Sequence, residues 1–184
     1  LPLYKNKLTG TLPTEIGNLK NLTLLDVNIN NFNGTLPTEI GFLTSLIALS
    51  LSDNKLTGKL PTEIGQLTNL VGFSLKNNFL TGSLQTEIGF LTGLSILNVV
   101  DNQLTGALPT EIGNLTSLME FGAYSNHFNG TLPTEIGFLT SLTLLYLYDN
   151  QLTGELPTEV GNLTNLIEFA AYGQESRITN TNDI

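Results

Sequence analysis

A ten-residue string, LTGTLPTEIG at residues 8–17, packs glycine, proline, threonine and a single glutamate together as a catalytic or phosphate-binding loop would. It is not unique. It returns as FNGTLPTEIG (32–41), LTGKLPTEIG (56–65), LTGSLQTEIG (80–89), LTGALPTEIG (104–113), FNGTLPTEIG (128–137) and LTGELPTEVG (152–161). The first glycine of each copy falls at Gly10, Gly34, Gly58, Gly82, Gly106, Gly130 and Gly154, a constant step of 24. A catalytic centre needs one constellation, whereas a stacked architecture needs many copies in fixed register. The string is therefore a building block first.

Written from its leading leucine, one unit reads LTLLDVNINNFNGTLPTEIGFLTS (22–45), with Leu25, Val27 and Asn30 at the fourth, sixth and ninth places. Alternation such as Leu145, Tyr146, Leu147 puts two apolar side chains on one face and the intervening ring on the other, as in a short strand. Stacked at a fixed step, such strands make a parallel sheet. The asparagines Asn6, Asn30, Asn54, Asn78, Asn102, Asn126 and Asn150 then form an internal ladder, whose amides satisfy backbone groups where the chain leaves the strand. Gly10 and its equivalents suit a positive-φ turn, and Pro13, Pro37, Pro61, Pro109, Pro133 and Pro157 pre-set φ for a short 3₁₀ segment. Thr-Glu after the proline suits the first turn of that segment, where hydroxyl and carboxylate meet free N–H groups. Gln85 replaces the proline once and is expected to loosen that coil.

The spacing L-x-x-L-x-L-x-x-N-x-L, continued by L-x-G-x-L-P-x-E-I-G-x-L, resembles the plant-type leucine-rich repeat over residues 1 to 173. That subclass occurs in receptor-kinase ectodomains, polygalacturonase-inhibiting proteins and algal repeat proteins. The resemblance implies an α/β solenoid: a right-handed superhelix with a parallel β-sheet on its concave side and short 3₁₀ or turn segments on its convex side. It assigns residues 1–173 to seven full or nearly full coils plus a final partial one, and leaves 174–184 as a polar tail or cap.

Enzymatic and metal chemistry find little support. Glu15, Glu39, Glu63, Glu87, Glu111, Glu135 and Glu159 repeat one environment, whereas acid–base catalysis needs a pair driven to different pKa values. They read as solvated, helix-starting carboxylates. With one histidine, His127, and no cysteine, zinc and copper sites lack ligands, and Asp53, Asp101 and Asp149 read as isolated surface carboxylates. No Gly-rich phosphate string is present. We expect no catalytic residues, no metal and no cofactor.

The net charge of −9 disfavours nucleic acid and anionic membranes. No apolar run approaches the roughly 18–20 residues needed to span a bilayer. The charge is also lopsided. Lys5, Lys7, Lys20, Lys55, Lys59 and Lys76 precede residue 77, and Arg177 is the sole Lys or Arg after it, which would steer a basic partner to the C-terminal half. There the outward column Tyr4, Asn28, Ser52, Lys76, Val100, Tyr124, Tyr148, Tyr172 ends in three tyrosines. Tyr146 shares their face, and Glu120, Asp149 and Glu168 flank them. Tyrosine couples a large ring to a polar tip and is enriched at interface hot spots. These seven residues, Tyr124, Tyr146, Tyr148, Tyr172, Glu120, Asp149 and Glu168, are the candidate partner-binding set. Phe42, Phe90 and Phe138 alternate with Asn18, Gln66, Asn114 and Asn162 after the E-I-G glycine, as a candidate flank contact or, the preferred reading, as packing into the coil.

The expected function is non-enzymatic recognition of a protein, peptide or glycan partner, a basic one favoured, on the concave face. The alternative is a structural or accessory subunit of a larger complex. Ice binding through threonine rows is third, because Lys59, Ala107 and Glu155 interrupt the row beside Thr9, Thr57, Thr81, Thr105 and Thr153. The chain enters partway through a repeat without Met, and we expect it to be a segment of a longer protein. The resemblance implies an extracellular or cell-surface location, with an organelle lumen or intracellular placement as the alternative. The sequons at Asn21, Asn33, Asn114, Asn129 and Asn162 permit secretion.

Overall fold

The structure, a computed structural model, describes residues 1–171 and the backbone strand Ile178–Thr179. Each 24-residue unit makes one coil of three short pieces. Three-residue strands at Leu24–Asp26, Ala48–Ser50, Gly72–Ser74, Ile96–Asn98, Glu120–Gly122, Leu144–Tyr146 and Glu168–Ala170 pair in parallel, each with the strand one unit away, in chain order. Ile178–Thr179 adds an antiparallel edge to Glu168–Ala170. On the far side of each coil, 3₁₀ helices run from Thr14–Asn18 to Thr158–Asn162 at the same step. Tyr172 and residues 174–184 as a tail or cap lie outside the described residues, apart from that edge strand.

A second parallel sheet was not anticipated. Strands Asn31–Gly34, Lys55–Gly58, Phe79–Gly82, Gln103–Gly106 and His127–Gly130 pair in order, ended by Thr9–Gly10 and Gln151–Leu152. Sequence reading took L-T-G for a turn because of its glycine. Gly106 does sit at φ +79, but it closes a strand in which Leu104 points into the core and Thr105 outward, so the alternation outweighs the breaker.

The core is a column of leucines. In one coil Leu97, Val99, Leu104, Leu108, Ile112, Leu115 and Leu118 are all 0–3% exposed. Burying each such side chain contributes about 1.5–3 kcal/mol, and each coil's apolar set packs only on its neighbours. Within this column run the asparagines. Asn102 donates to Leu75 O (3.1 Å), Val99 O (3.1 Å) and Val100 O (3.0 Å), and its Oδ1 accepts the N–H of Leu80 (3.0 Å). Asn30, Asn54, Asn78, Asn126 and Asn150 make the same set one or more coils away, while Asn6, at the first coil, is exposed and donates to Leu3 O and Tyr4 O.

The 3₁₀ turns differ from expectation in their caps. Proline itself is the N-cap, as at Pro109 (φ −67°, ψ 143°), and no side chain caps the helix. The threonine hydroxyl instead donates to the next glutamate, as Thr110 Oγ1 does to Glu111 Oε2 (3.3 Å). Gln85 adopts the prolines' extended geometry (φ −74°, ψ 152°), so its helix at Thr86–Phe90 keeps the common length. The E-I-G glycine has a second purpose, that of a spacer. A Cβ at Gly113 would lie 2.7 Å from Glu135 O and 2.8 Å from Glu135 Cβ, so its absence lets adjacent coils close up. This contact covers the Cβ and backbone of Glu39, Glu63, Glu87, Glu111, Glu135 and Glu159, while the hydrogen bond each carboxylate accepts from the preceding threonine stays exposed, as expected of solvated carboxylates.

Candidate partner-binding face

The outward residues of the main sheet form three columns across the coils, and their character changes along the array. In the N-terminal half Asp26, Asn28, Ser50, Ser52, Ser74 and Asn98 make the face largely small and polar beside Leu24 and Ile96, and several of the polar residues pair with one another. Asn28 N donates to Asp26 Oδ1 (3.1 Å), Ser52 N to Asn28 Oδ1 (2.7 Å), and the Ser52 and Ser74 hydroxyls are hydrogen-bonded to each other at 2.7 Å. Two positions expected to face outward are buried: Ser52 at 6% and Val100 at 1% exposure. Gly122 explains the second. Its missing side chain leaves room that the Val100 Cγ2 methyl fills, 3.1 Å from where a Cβ would stand.

The C-terminal half is aromatic. The rings of Tyr124 and Tyr148 stack with centroids 4.4 Å apart and planes 9° apart, and Tyr146 meets Tyr124 edge-on at 6.5 Å and 90°. Both geometries are favourable arrangements of aromatic quadrupoles. Tyr146 has space because its register partners are Gly122 and Ala170. Its hydroxyl donates to Glu168 Oε2 at 2.5 Å. That hydrogen bond, then partial burial and the charges of Glu168 and Glu120, pushes the Tyr146 hydroxyl up to about 12. Burial and the neighbouring Tyr124 raise Tyr148 as well.

The structure thus brings Tyr124, Tyr146, Tyr148, Glu120 and Glu168 together on one patch. Asp149 stands at its edge, at φ +55°, and accepts a hydrogen bond from Ser125 Oγ (2.9 Å). It is therefore not an isolated carboxylate, and neither is Asp53, which accepts from Asn77 Nδ2 (2.8 Å). These aspartates belong to a column of left-handed residues, Lys5, Ile29, Asp53, Asn77, Asp101, Ser125 and Asp149, that sequence reading missed although its Asp, Asn and Ser content signals such a turn. Also missed is an apolar rim just before the strands: Ile47, Val71, Met119 and Ile167 stand 46–62% exposed. Phe42, Phe90 and Phe138 are more than half exposed on the 3₁₀ side, each ring edge resting over the glycine of the preceding coil. Packing is thus partial there. Thr9, Thr57, Thr81 and Thr105 lie on the second sheet, whereas this patch is on the main one.

The family model named Leucine Rich Repeat matches residues 45–67, 93–115 and 141–163, one span in every second coil. The chain carries leucine-rich repeats at a 24-residue step. Similar solved structures include PEPR1 with AtPEP1, at 40% identity and TM-score 0.88 over 90% of this chain and 23% of that one. The Arabidopsis receptor kinase HAESA, in complex with the peptide hormone IDA and the co-receptor SERK1, is 33% identical with TM-score 0.85, over 94% of this chain and 29% of that one. A leucine-rich repeat protein of Leptospira interrogans is 35% identical with TM-score 0.67, over 94% of this chain and 48% of its own. This leucine-rich repeat chain spans about a quarter of the plant receptors it matches. A search of curated protein sequences returned no match. The solenoid with a parallel sheet and 3₁₀ turns is the fold of these ectodomains, and the family is one of binding modules rather than enzymes. No helix among the described residues is long and apolar enough to cross a membrane.

Proposed function

We propose that this repeat array is an extracellular recognition module whose outward sheet face binds a protein or peptide, with the contact centred on Tyr124, Tyr146 and Tyr148. The carrying observation is the packed ring cluster itself. Three half-buried tyrosines hold one another in place and still present ring surface and hydroxyls, so little rotamer freedom is lost on binding. Glu120, Glu168 and Asp149 beside the rings favour a segment carrying Lys or Arg, through charge and cation–π attraction. The peptide hormone IDA in the HAESA complex supports the peptide class. Tyr172 belongs to the same proposal on sequence grounds.

The test is selection from a displayed library of random peptides, followed by titration of the recovered sequences. Enrichment of Lys and Arg, with affinity falling at least about thirtyfold in Tyr124→Ala/Tyr148→Ala, is expected from hot-spot magnitudes. Affinity indifferent to these two rings would overturn the site, and recovery of neutral or acidic peptides would overturn the basic partner. A glycan array run in parallel separates peptide from sugar recognition.

A further inference from the structure

From Phe42 to Phe138, the last residue of the 3₁₀ helix leans back over the coil before it. A Cβ at Gly65 would stand 3.1 Å from a ring carbon of Phe90, one at Gly89 3.1 Å from Asn114 Nδ2, and one at Gly113 3.1 Å from a ring carbon of Phe138. Phe90, Asn114 and Phe138 therefore follow one another across three coils, and a carboxamide lies between two rings that are 61% and 59% exposed. An exposed phenylalanine covers itself poorly, and here two stand one coil to either side of Asn114. Asn114 heads the sequon Asn114-Leu115-Thr116. Both Asn114 and Thr116 are exposed, and among the described residues the Asn114 side chain makes no hydrogen bond. Asn69 and Asn165, elsewhere on the same turns, are instead tied to Thr44 O and Thr140 O.

We propose that Asn114 is an N-glycosylation site whose first sugar packs between Phe90 and Phe138. In the transfer, Asn114 Nδ2 forms a bond to the anomeric carbon of an oligosaccharide carried on a polyprenyl pyrophosphate. The bond from that carbon to the pyrophosphate oxygen breaks, the lipid pyrophosphate leaves with the electron pair, and the amide gives up one proton. Folding then places the sugar's apolar face against the rings. The inference rests on the extracellular placement proposed above. It gives a use to the two rings that flank Asn114, since a ring on each neighbouring coil is what a sugar on the coil between them can cover; the other Phe-flanked position, Gln66, carries no sequon. Asn162 has Phe138 on one side only and is the weaker site.

The experiment secretes the full chain from a eukaryotic cell line behind a foreign signal peptide and reads site occupancy by glycopeptide mass spectrometry. Thr116→Ala removes the sequon while keeping Asn114. The expected result is high occupancy at Asn114, with a melting temperature lower by about 2–4 °C in Thr116→Ala. Trimming the wild-type glycan to its first sugar is expected to leave the melting temperature unchanged. In Phe90→Gln/Phe138→Gln, a residue type this column already accepts at Gln66 and one that creates no new sequon before Leu139 and Thr140, the Thr116→Ala shift is expected to vanish. An unmodified Asn114, or an equal shift with and without the two rings, overturns the proposal. Peptide capture by the tyrosine face is read separately in the same variants, so loss of one reading leaves the other intact.

Discussion

Asn102 offers the sharpest test of how the coils are held together. Each carbonyl along the ladder receives two amides, one from its own coil and one from the next: Leu75 O accepts from Asn78 (3.0 Å) and Asn102 (3.1 Å), and Val99 O from Asn102 (3.1 Å) and Asn126 (3.0 Å). Val100 O also takes the N–H of Asn77 (2.9 Å). Asn102→Ala therefore leaves every carbonyl with a partner and orphans one buried donor, the N–H of Leu80. An unsatisfied buried donor costs about 1–3 kcal/mol, and with the lost amide bonds the total is about 2–4 kcal/mol. In Asn78→Ala/Asn102→Ala, Leu75 O loses both amides, so the pair should cost about 1–2 kcal/mol more than the sum of the singles. Asn78→Ala/Asn126→Ala shares no carbonyl and should be additive within about 0.5 kcal/mol. Urea unfolding followed by far-UV circular dichroism measures all of these, with Asn6→Ala as the exposed control expected below about 1 kcal/mol. Equal coupling in the adjacent and the separated pair would refute the shared-carbonyl reasoning. So would an Asn102→Ala as mild as Asn6→Ala.

Gly113→Ala should destabilise by about 2–4 kcal/mol, because its methyl meets Glu135 O at 2.7 Å, while Gly161→Ala, with nothing within 4 Å, should be neutral in the same urea experiment. Ile29 is a β-branched residue held at φ +54° and 46% exposed, so Ile29→Asn should stabilise by about 1 kcal/mol, read as a higher urea midpoint. Tyr146 keeps its proton in the folded chain up to about pH 12, whereas the unfolded side chain loses it near 10. Its contribution to stability is thus fully present below pH 10 and is lost as pH rises toward 12. Ultraviolet titration should show late ionisation from Tyr146 and, with it, from the raised Tyr148; the Tyr146 step should be absent in Tyr146→Phe and return toward 10 in Glu168→Gln.

What the sequence reveals here depends on whether a residue's environment is repeated. Leu97, Asn102 and Ile112 each recur at the fixed step, so their burial and partners follow from the period alone, and the solenoid was legible without coordinates. Contacts between unlike neighbours were not. Val100 looked outward by alternation, yet the glycine at position 122 in the next coil makes a hole that draws it in. Ile29 hid the left-handed column, because isoleucine is the residue type least suited to it. The glycine of L-T-G masked a strand, and nothing in the letters E-I-G told that its glycine is a point of close approach between coils. The tyrosine column was visible as a list of letters. The stacking of Tyr124 on Tyr148 and the bond from Tyr146 to Glu168 depend on ring orientations that no periodicity encodes.

The ladder and the tyrosine patch are physically one system. The backbone carbonyl of Tyr124 accepts Asn126 Nδ2 (3.2 Å) and Asp101 N–H (3.2 Å), and that of Tyr148 accepts Asn150 Nδ2 (3.3 Å) and Ser125 N–H (3.2 Å). Each stacked ring therefore stands on a peptide group fixed from two directions, by an internal amide and by the left-handed turn of the preceding coil. Such fixing spares a binding event the cost of ordering those side chains. Asn126→Ala changes no outward side chain, yet by this reasoning it should loosen Tyr124 and weaken capture of the library-selected peptide several-fold under conditions where the chain remains folded. Asn54→Ala, the same change beneath the small polar half of the face, should cost similar stability and leave capture unaltered. If both substitutions lowered affinity alike, the effect would be general softening of the array, and local support of the rings would not be its cause.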